Sequence, residues 1–163
     1  MATFGKTAIG GTSIDGTAPK RGCKFSLSEN GDVTSISVYG KKATAGTTTI
    51  DVAIYADSAG VPDALSAVGT QITIDTTLQW WTANISVSLV AGTYWLSWIQ
   101  GTTVIYHYDA GSTNQEDRGS DALPFDDPWG ADLWQDRDVS IYATYTPTAG
   151  AVTPLLMLMG VGT

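Results

Sequence analysis

The chain has 163 residues, 43% of them hydrophobic, with 18 glycines and a net charge of −8. That length suits one domain with a self-sufficient core, and the composition is that of a folded chain. The acidity repels phosphate backbones and excludes nucleic acid as a general partner.

Residues 1–21 are rich in glycine and threonine and read as an extended N-terminal arm. They contain no apolar h-region, so a chain without a classical export signal is expected. From residue 22 to 146, period-2 alternation dominates and no helical period emerges. In Lys24–Ser28, Phe25 and Leu27 share a face. Asp32–Tyr39 places Ile36 and Val38 on alternating sites, and Thr49–Tyr55 turns Ile50, Val52 and Ile54 inward. Gln71–Asp75, Asn84–Leu89, Thr93–Gln100, Thr102–Asp109 and Asp138–Thr146 follow, all β-branched or aromatic runs of strand length. Asn30-Gly31 predicts a hairpin. Ala91-Gly92 and Gln100-Gly101 predict two more tight reversals, and Asp57–Pro62 a longer turn. The expectation is an all-β antiparallel sandwich, jelly-roll-like, of eight or nine strands.

Two regions interrupt the pattern. Ala110–Gln135 is a long acidic insertion, and a loop of this length in a compact domain is functional or mobile. Residues 147–163 form a Pro/Gly-punctuated C-terminal arm ending in the apolar run Leu155, Leu156, Met157, Leu158 and Met159. That run is too short to span a bilayer, so membrane insertion is not expected. It reads instead as an assembly segment, because an exposed apolar patch signals a partner.

Four of the six tryptophans lie between Trp80 and Trp98. Trp80 and Trp81 are adjacent, so on a strand they point to opposite sides and at most one is core. On Thr93–Gln100, Leu96 and Trp98 share one face and Trp95 takes the other. Either Trp95 lies under the long loop, or it helps form an aromatic platform that stacks on sugar rings. Trp80, Trp95, Trp129 and Trp134 are the candidates for such a platform. Trp129 and Trp134 come first, since loop side chains are exposed at little cost.

The run AIYADSAGVPDAL (Ala53–Leu65), then Trp81, then LVAGTYWL (Leu89–Leu96) resembles a loose group of β-sandwich domains. These occur in secreted bacterial and archaeal proteins and in tail or surface proteins of phages. The likeness covers residues 22–100, with Asp63 standing where that pattern often has Gly. The resemblance implies a non-catalytic domain and carries over no active-site residue.

Catalytic chemistry finds little to use. His107 is the one histidine and Cys23 the one cysteine, far apart in sequence, and no G-x-S-x-G elbow is present. A small glycosidase would need two carboxylates at a defined separation in a cleft. A cation site is a better use of the loop acids: Asp126, Asp127 and Asp132 suit calcium, which takes carboxylate oxygens from flexible loops. The competing account is a solvated acidic loop. The expected function is a non-enzymatic structural or interaction protein, homo-oligomeric or bound to other subunits of a virion or extracellular assembly, and able to meet host-surface glycans. The alternative is a carbohydrate-binding module.

Overall fold

The computed structural model describes residues 1–120, 122–130 and 133–148. Asp132 and the Leu155–Met159 run, expected to serve cation binding and assembly, lie outside the described residues. In chain order the strands are β1 (Ala2–Gly5), β2 (Thr12–Gly16), β3 (Lys20–Leu27), β4 (Gly31–Lys42), β5 (Thr48–Ser58), β6 (Val61–Val68), β7 (Ile72–Ile74), β8 (Gln79–Leu89), β9 (Gly92–Gln100), β10 (Val104–Ala110), β11 (Glu116–Gly119), β12 (Leu133–Gln135), β13 (Arg137–Val139) and β14 (Ile141–Pro147). They form two antiparallel sheets of seven strands each. Sheet A runs β1-β14-β4-β10-β13, with β2 on β10 and β8 on β4; sheet B runs β12-β11-β3-β9-β5-β6, with β7 on β5.

Alternation explains the packing. Val38, Ala83 and Ile141 from sheet A meet Val52, Ile54, Leu96 and Trp98 from sheet B in one buried core. Each fully buried aliphatic side chain contributes about 1.5–3 kcal/mol relative to exposure.

Several expectations are corrected. There are fourteen strands among the described residues, not eight or nine. Of the strands not expected, β1, β2, β11, β12 and β13 have only three to five residues, below the length at which alternation is recognisable, and β6 has eight but follows the Asp57–Pro62 turn without a clear apolar alternation. Residues 1–21 are woven in: β1 pairs β14, β2 pairs β10, and Phe4 is buried edge-on to Tyr94 and Tyr145. Asn30-Gly31 is not a hairpin, because β3 belongs to sheet B and β4 to sheet A. Ala91-Gly92 and Gln100-Gly101 likewise carry the chain from one sheet to the other. Asp57–Pro62 does close a hairpin between β5 and β6. Ala59 and Gly60 take φ of 54° and 89° there, the left-handed region a tight turn requires.

A charged group is buried where β3, β10 and β11 meet. Arg21 donates to Glu116 Oε1 at 2.8 Å and to the Tyr106 hydroxyl at 2.7 Å, and Tyr106 donates to Glu116 at 3.0 Å. Arg137 adds an ion pair to Glu116 Oε2 at 3.4 Å. Burial first, and the Glu116 charge second, push the Tyr106 phenol up to about 12.

Candidate binding surface

The outer face of sheet A is set by one irregularity. Between Val33 and Ser35 the register of β4 slips against both β8 and β14. The alternation flips there: Val33 is inward, and then Ile36 and Val38 are inward. Ser37 and Tyr39 are thereby turned outward. On β8, Trp81 packs against the core and donates its indole N–H to the Gly40 carbonyl at 2.9 Å, which leaves Trp80 on the outer side. Tyr142 on β14 alternates with buried Ile141 and Ala143, and His107 on β10 with buried Tyr106.

These four half-exposed rings touch. Tyr39 lies directly opposite Trp80, with ring centroids 5.3 Å apart. Trp80 meets Tyr142 edge-on at 4.9 Å, and Tyr39 meets His107 edge-on at 5.1 Å. The Ser37 and Thr82 hydroxyls, bonded to each other at 2.8 Å, fill the small space beside them. His107 Nδ1 is 3.0 Å from the Gly10 carbonyl, which can only accept, so Nδ1 carries a proton and Nε2 points elsewhere.

Hydrogen-bond use separates the six tryptophans. Trp81 donates to Gly40, Trp95 to Asp57 at 2.8 Å, Trp98 to Gln100 at 3.2 Å and Trp129 to Asp117 at 2.9 Å. Among the described residues, the indole N–H groups of Trp80 and Trp134 have no protein acceptor, and the hydroxyls of Tyr39 and Tyr142 have no protein partner. A buried indole is normally paired, so an unpaired, half-exposed one is turned to solvent or a ligand.

The outer face of sheet B is the opposite case. The long insertion folds over it, and Trp95, Trp129, Phe125, Tyr55 and Ile99 form a second buried cluster. Trp129 and Trp95 are both 0% exposed and offer no surface to a ligand. The expectation that loop tryptophans are exposed fails for Trp129 for a physical reason. Its ring meets Tyr55 edge-on at 4.9 Å, and the Lys20 ammonium sits 4.6 Å from its centroid. Gly22 makes room below: a Cβ there would stand 3.2 Å from the indole. Trp134 on β12 remains half exposed, tilted against Trp95 at 5.8 Å.

The loop carboxylates attach this cover. Asp126 pairs with buried Lys20 at 3.0 Å, and Asp127 accepts the Leu65 N–H at 3.0 Å. Asp117 accepts from Trp129 and from the Leu133 N–H. Among the described residues, no group of three His, Cys, Asp or Glu is placed to hold a metal ion. The motif of the β5–β6 hairpin has a structural use as well. Asp57 takes the Trp95 indole on one oxygen and the Gly60 N–H on the other, and the Tyr55 hydroxyl donates to the Asp126 carbonyl.

The groups with catalytic chemistry are spread out. Cys23 is fully buried, and burial pushes its thiol well above the usual range. A cleft of about 570 Å³ lies between Thr17–Pro19 and Arg118–Ser120, and one of about 430 Å³ between Lys24, Asp57 and Gln115. Neither is lined by His107 or Cys23.

Trp80 was legible in the sequence as a platform candidate; Tyr39, Tyr142 and His107 as its neighbours were not. The signal for Tyr39 was the Ser-Ile-Ser-Val-Tyr alternation, whose outward members it ends. Among the described residues, no helix is long and apolar enough to cross a membrane. No protein-family model matches the chain, and no curated protein or solved structure matches it either.

Proposed function

We propose that this chain is a non-catalytic interaction protein, a jelly-roll-like β-sandwich subunit of a virion or extracellular assembly. Its contact surface is the four-ring patch of Tyr39, Trp80, Tyr142 and His107. The observation that carries this reading is the division of the indole N–H groups. Four are bound within the protein, while that of Trp80 has no protein acceptor among the described residues and sits in a partly exposed aromatic cluster. Aromatic residues cluster at recognition hot spots because they bury much area with few rotatable bonds.

Support for a binding rather than a catalytic role comes from how the reactive groups are used. Cys23 is a packing residue, and Asp126 and Asp127 hold the loop. The C-terminal run Leu155–Met159 is proposed as the segment that joins subunits.

The test compares wild type with Trp80→Ala, following self-association by sedimentation and ligand binding by calorimetry. The reading requires that binding or association weakens while the fold persists. A Trp80→Ala protein that associates and binds like wild type would sink it.

A further inference from the structure

Resting on the reading of this patch as the contact surface, we propose that its occupant is a neutral pyranose of a glycan. The sugar stacks on Trp80, and the open polar tips of Tyr39, Tyr142 and His107 hold its hydroxyls.

Size favours a sugar over a protein. A stable protein interface buries on the order of 800 Å² per partner around an apolar centre. Here the aromatic area stops at four rings. The neighbouring outward positions on β4, β8 and β14 are mostly small and polar, Ser35, Ser37, Thr82, Asn84 and Thr144, and beyond Tyr39 and His107 the patch is bounded by Lys41, Ile105 and Asp109. A pyranose needs less: one aromatic face for its C–H side and a few donors and acceptors around the rim.

The polar inventory matches that rim. Trp80 Nε1–H is a donor only, the two phenols both donate and accept, and His107 Nε2 is directed away from the Gly10 carbonyl. A sugar hydroxyl also both donates and accepts, so such tips can be satisfied without a charged partner. The chain carries −8, which disfavours sialic or uronic acids.

The site is held in place before any ligand arrives. Each ring leans on another at 4.9–5.3 Å, His107 is anchored to Gly10, and the Ser37–Thr82 bond fixes the strand positions beside Trp80 and Tyr142. Little side-chain freedom remains to be lost on binding.

The test is a titration of the full chain, followed through its six indole N–H resonances. The probes are short oligosaccharides of glucose, galactose, mannose and N-acetylglucosamine, with sialyllactose as the anionic arm. The proposal predicts that at least one neutral probe moves the Trp80 resonance and leaves that of Trp134 in place. Trp80→Ala should lose about tenfold or more in affinity, whereas Trp134→Ala should bind like wild type. A cooperative melting transition for Trp80→Ala, close to that of wild type, guards against a folding artefact. If no probe moves the Trp80 resonance at millimolar concentration, or if binding survives Trp80→Ala, the sugar proposal is overturned. Should sugars fail while Trp80→Ala abolishes self-association, the occupant is protein and the contact-surface reading stands. Should neither respond, both fall.

Discussion

The two outer faces of this sandwich hold similar aromatic side chains and use them in opposite ways. On sheet B, Trp95, Trp129, Tyr55 and Phe125 are buried under the insertion between β11 and β12. Their polar atoms are taken up by Asp57, Asp117 and the Asp126 carbonyl. On sheet A, Tyr39, Trp80, Tyr142 and His107 touch one another and stay partly exposed, and among the described residues the Trp80 N–H and the Tyr39 and Tyr142 hydroxyls have no protein partner. Aromatic content alone therefore does not separate a sealed face from an open one. What separates the two faces is whether each N–H and O–H has found a partner inside the molecule.

The largest effect should come from the sealed face. Trp129→Ala removes a fully buried indole and should cost about 3–5 kcal/mol, read by denaturant unfolding. Binding at the sheet A patch should remain under conditions where the variant is folded. Comparable loss of binding and stability would erase the distinction between the faces. Next comes Asp57→Ala, which deprives the Trp95 indole and the Gly60 N–H of their acceptor. About 1–3 kcal/mol should be lost, by the same measurement, as the cost of unpaired buried donors.

Alkaline pH should weaken the interior. The Tyr106 phenol titrates near 10 when unfolded and is raised to about 12 in the fold, because burial and the Glu116 charge oppose the phenolate. A raised folded value favours the neutral form in the native state. Its contribution is therefore whole below pH 10 and is lost as pH climbs from about 10 to about 12. Tyr55 acts in the same direction, through burial and then the Asp126 and Asp127 charges. Unfolding midpoints measured from pH 8 to 12 should fall in that window, and Tyr106→Phe should flatten the fall. An unchanged slope in Tyr106→Phe would assign the loss elsewhere.

The smallest stability effects belong to the open face. Trp80→Ala should cost about 1 kcal/mol in thermal unfolding, the value of its edge contacts, while weakening ligand binding. Tyr142→Phe should stay within about 0.5 kcal/mol, because its hydroxyl has no partner to lose within the protein. A drop of several kcal/mol in either would place these rings in the structural core.

Much of this architecture was legible in the sequence. Alternation at Ile50–Ile54, Ile85–Leu89 and Tyr94–Trp98 identified strands and their inward faces, because burial on one side of a sheet imposes period 2. The pairing partners were hidden. Asn30-Gly31 carries a strong local hairpin signal, but a turn signal reports a reversal and not which sheet receives the next strand. The candidate site was half visible. Trp80 and Trp81 had to diverge, and they do. The Ser35–Tyr39 alternation turns Tyr39 outward, but which strands set Trp80, Tyr142 and His107 beside it is decided by pairing and register, which leave no mark in the sequence. Trp129 looked exposed because it sits in a polar, proline-containing loop. Its burial depends on Gly22, Lys20 and Asp117, all remote from it or spread along the chain.

Hydrogen exchange of the six indole N–H groups tests the contrast between the faces most directly. The account predicts slow exchange for Trp81, Trp95, Trp98 and Trp129, each bonded within the protein, and fast exchange for Trp80 and Trp134. A Trp80 indole as protected as that of Trp98, or a Trp129 indole exchanging as fast as Trp80, would contradict it.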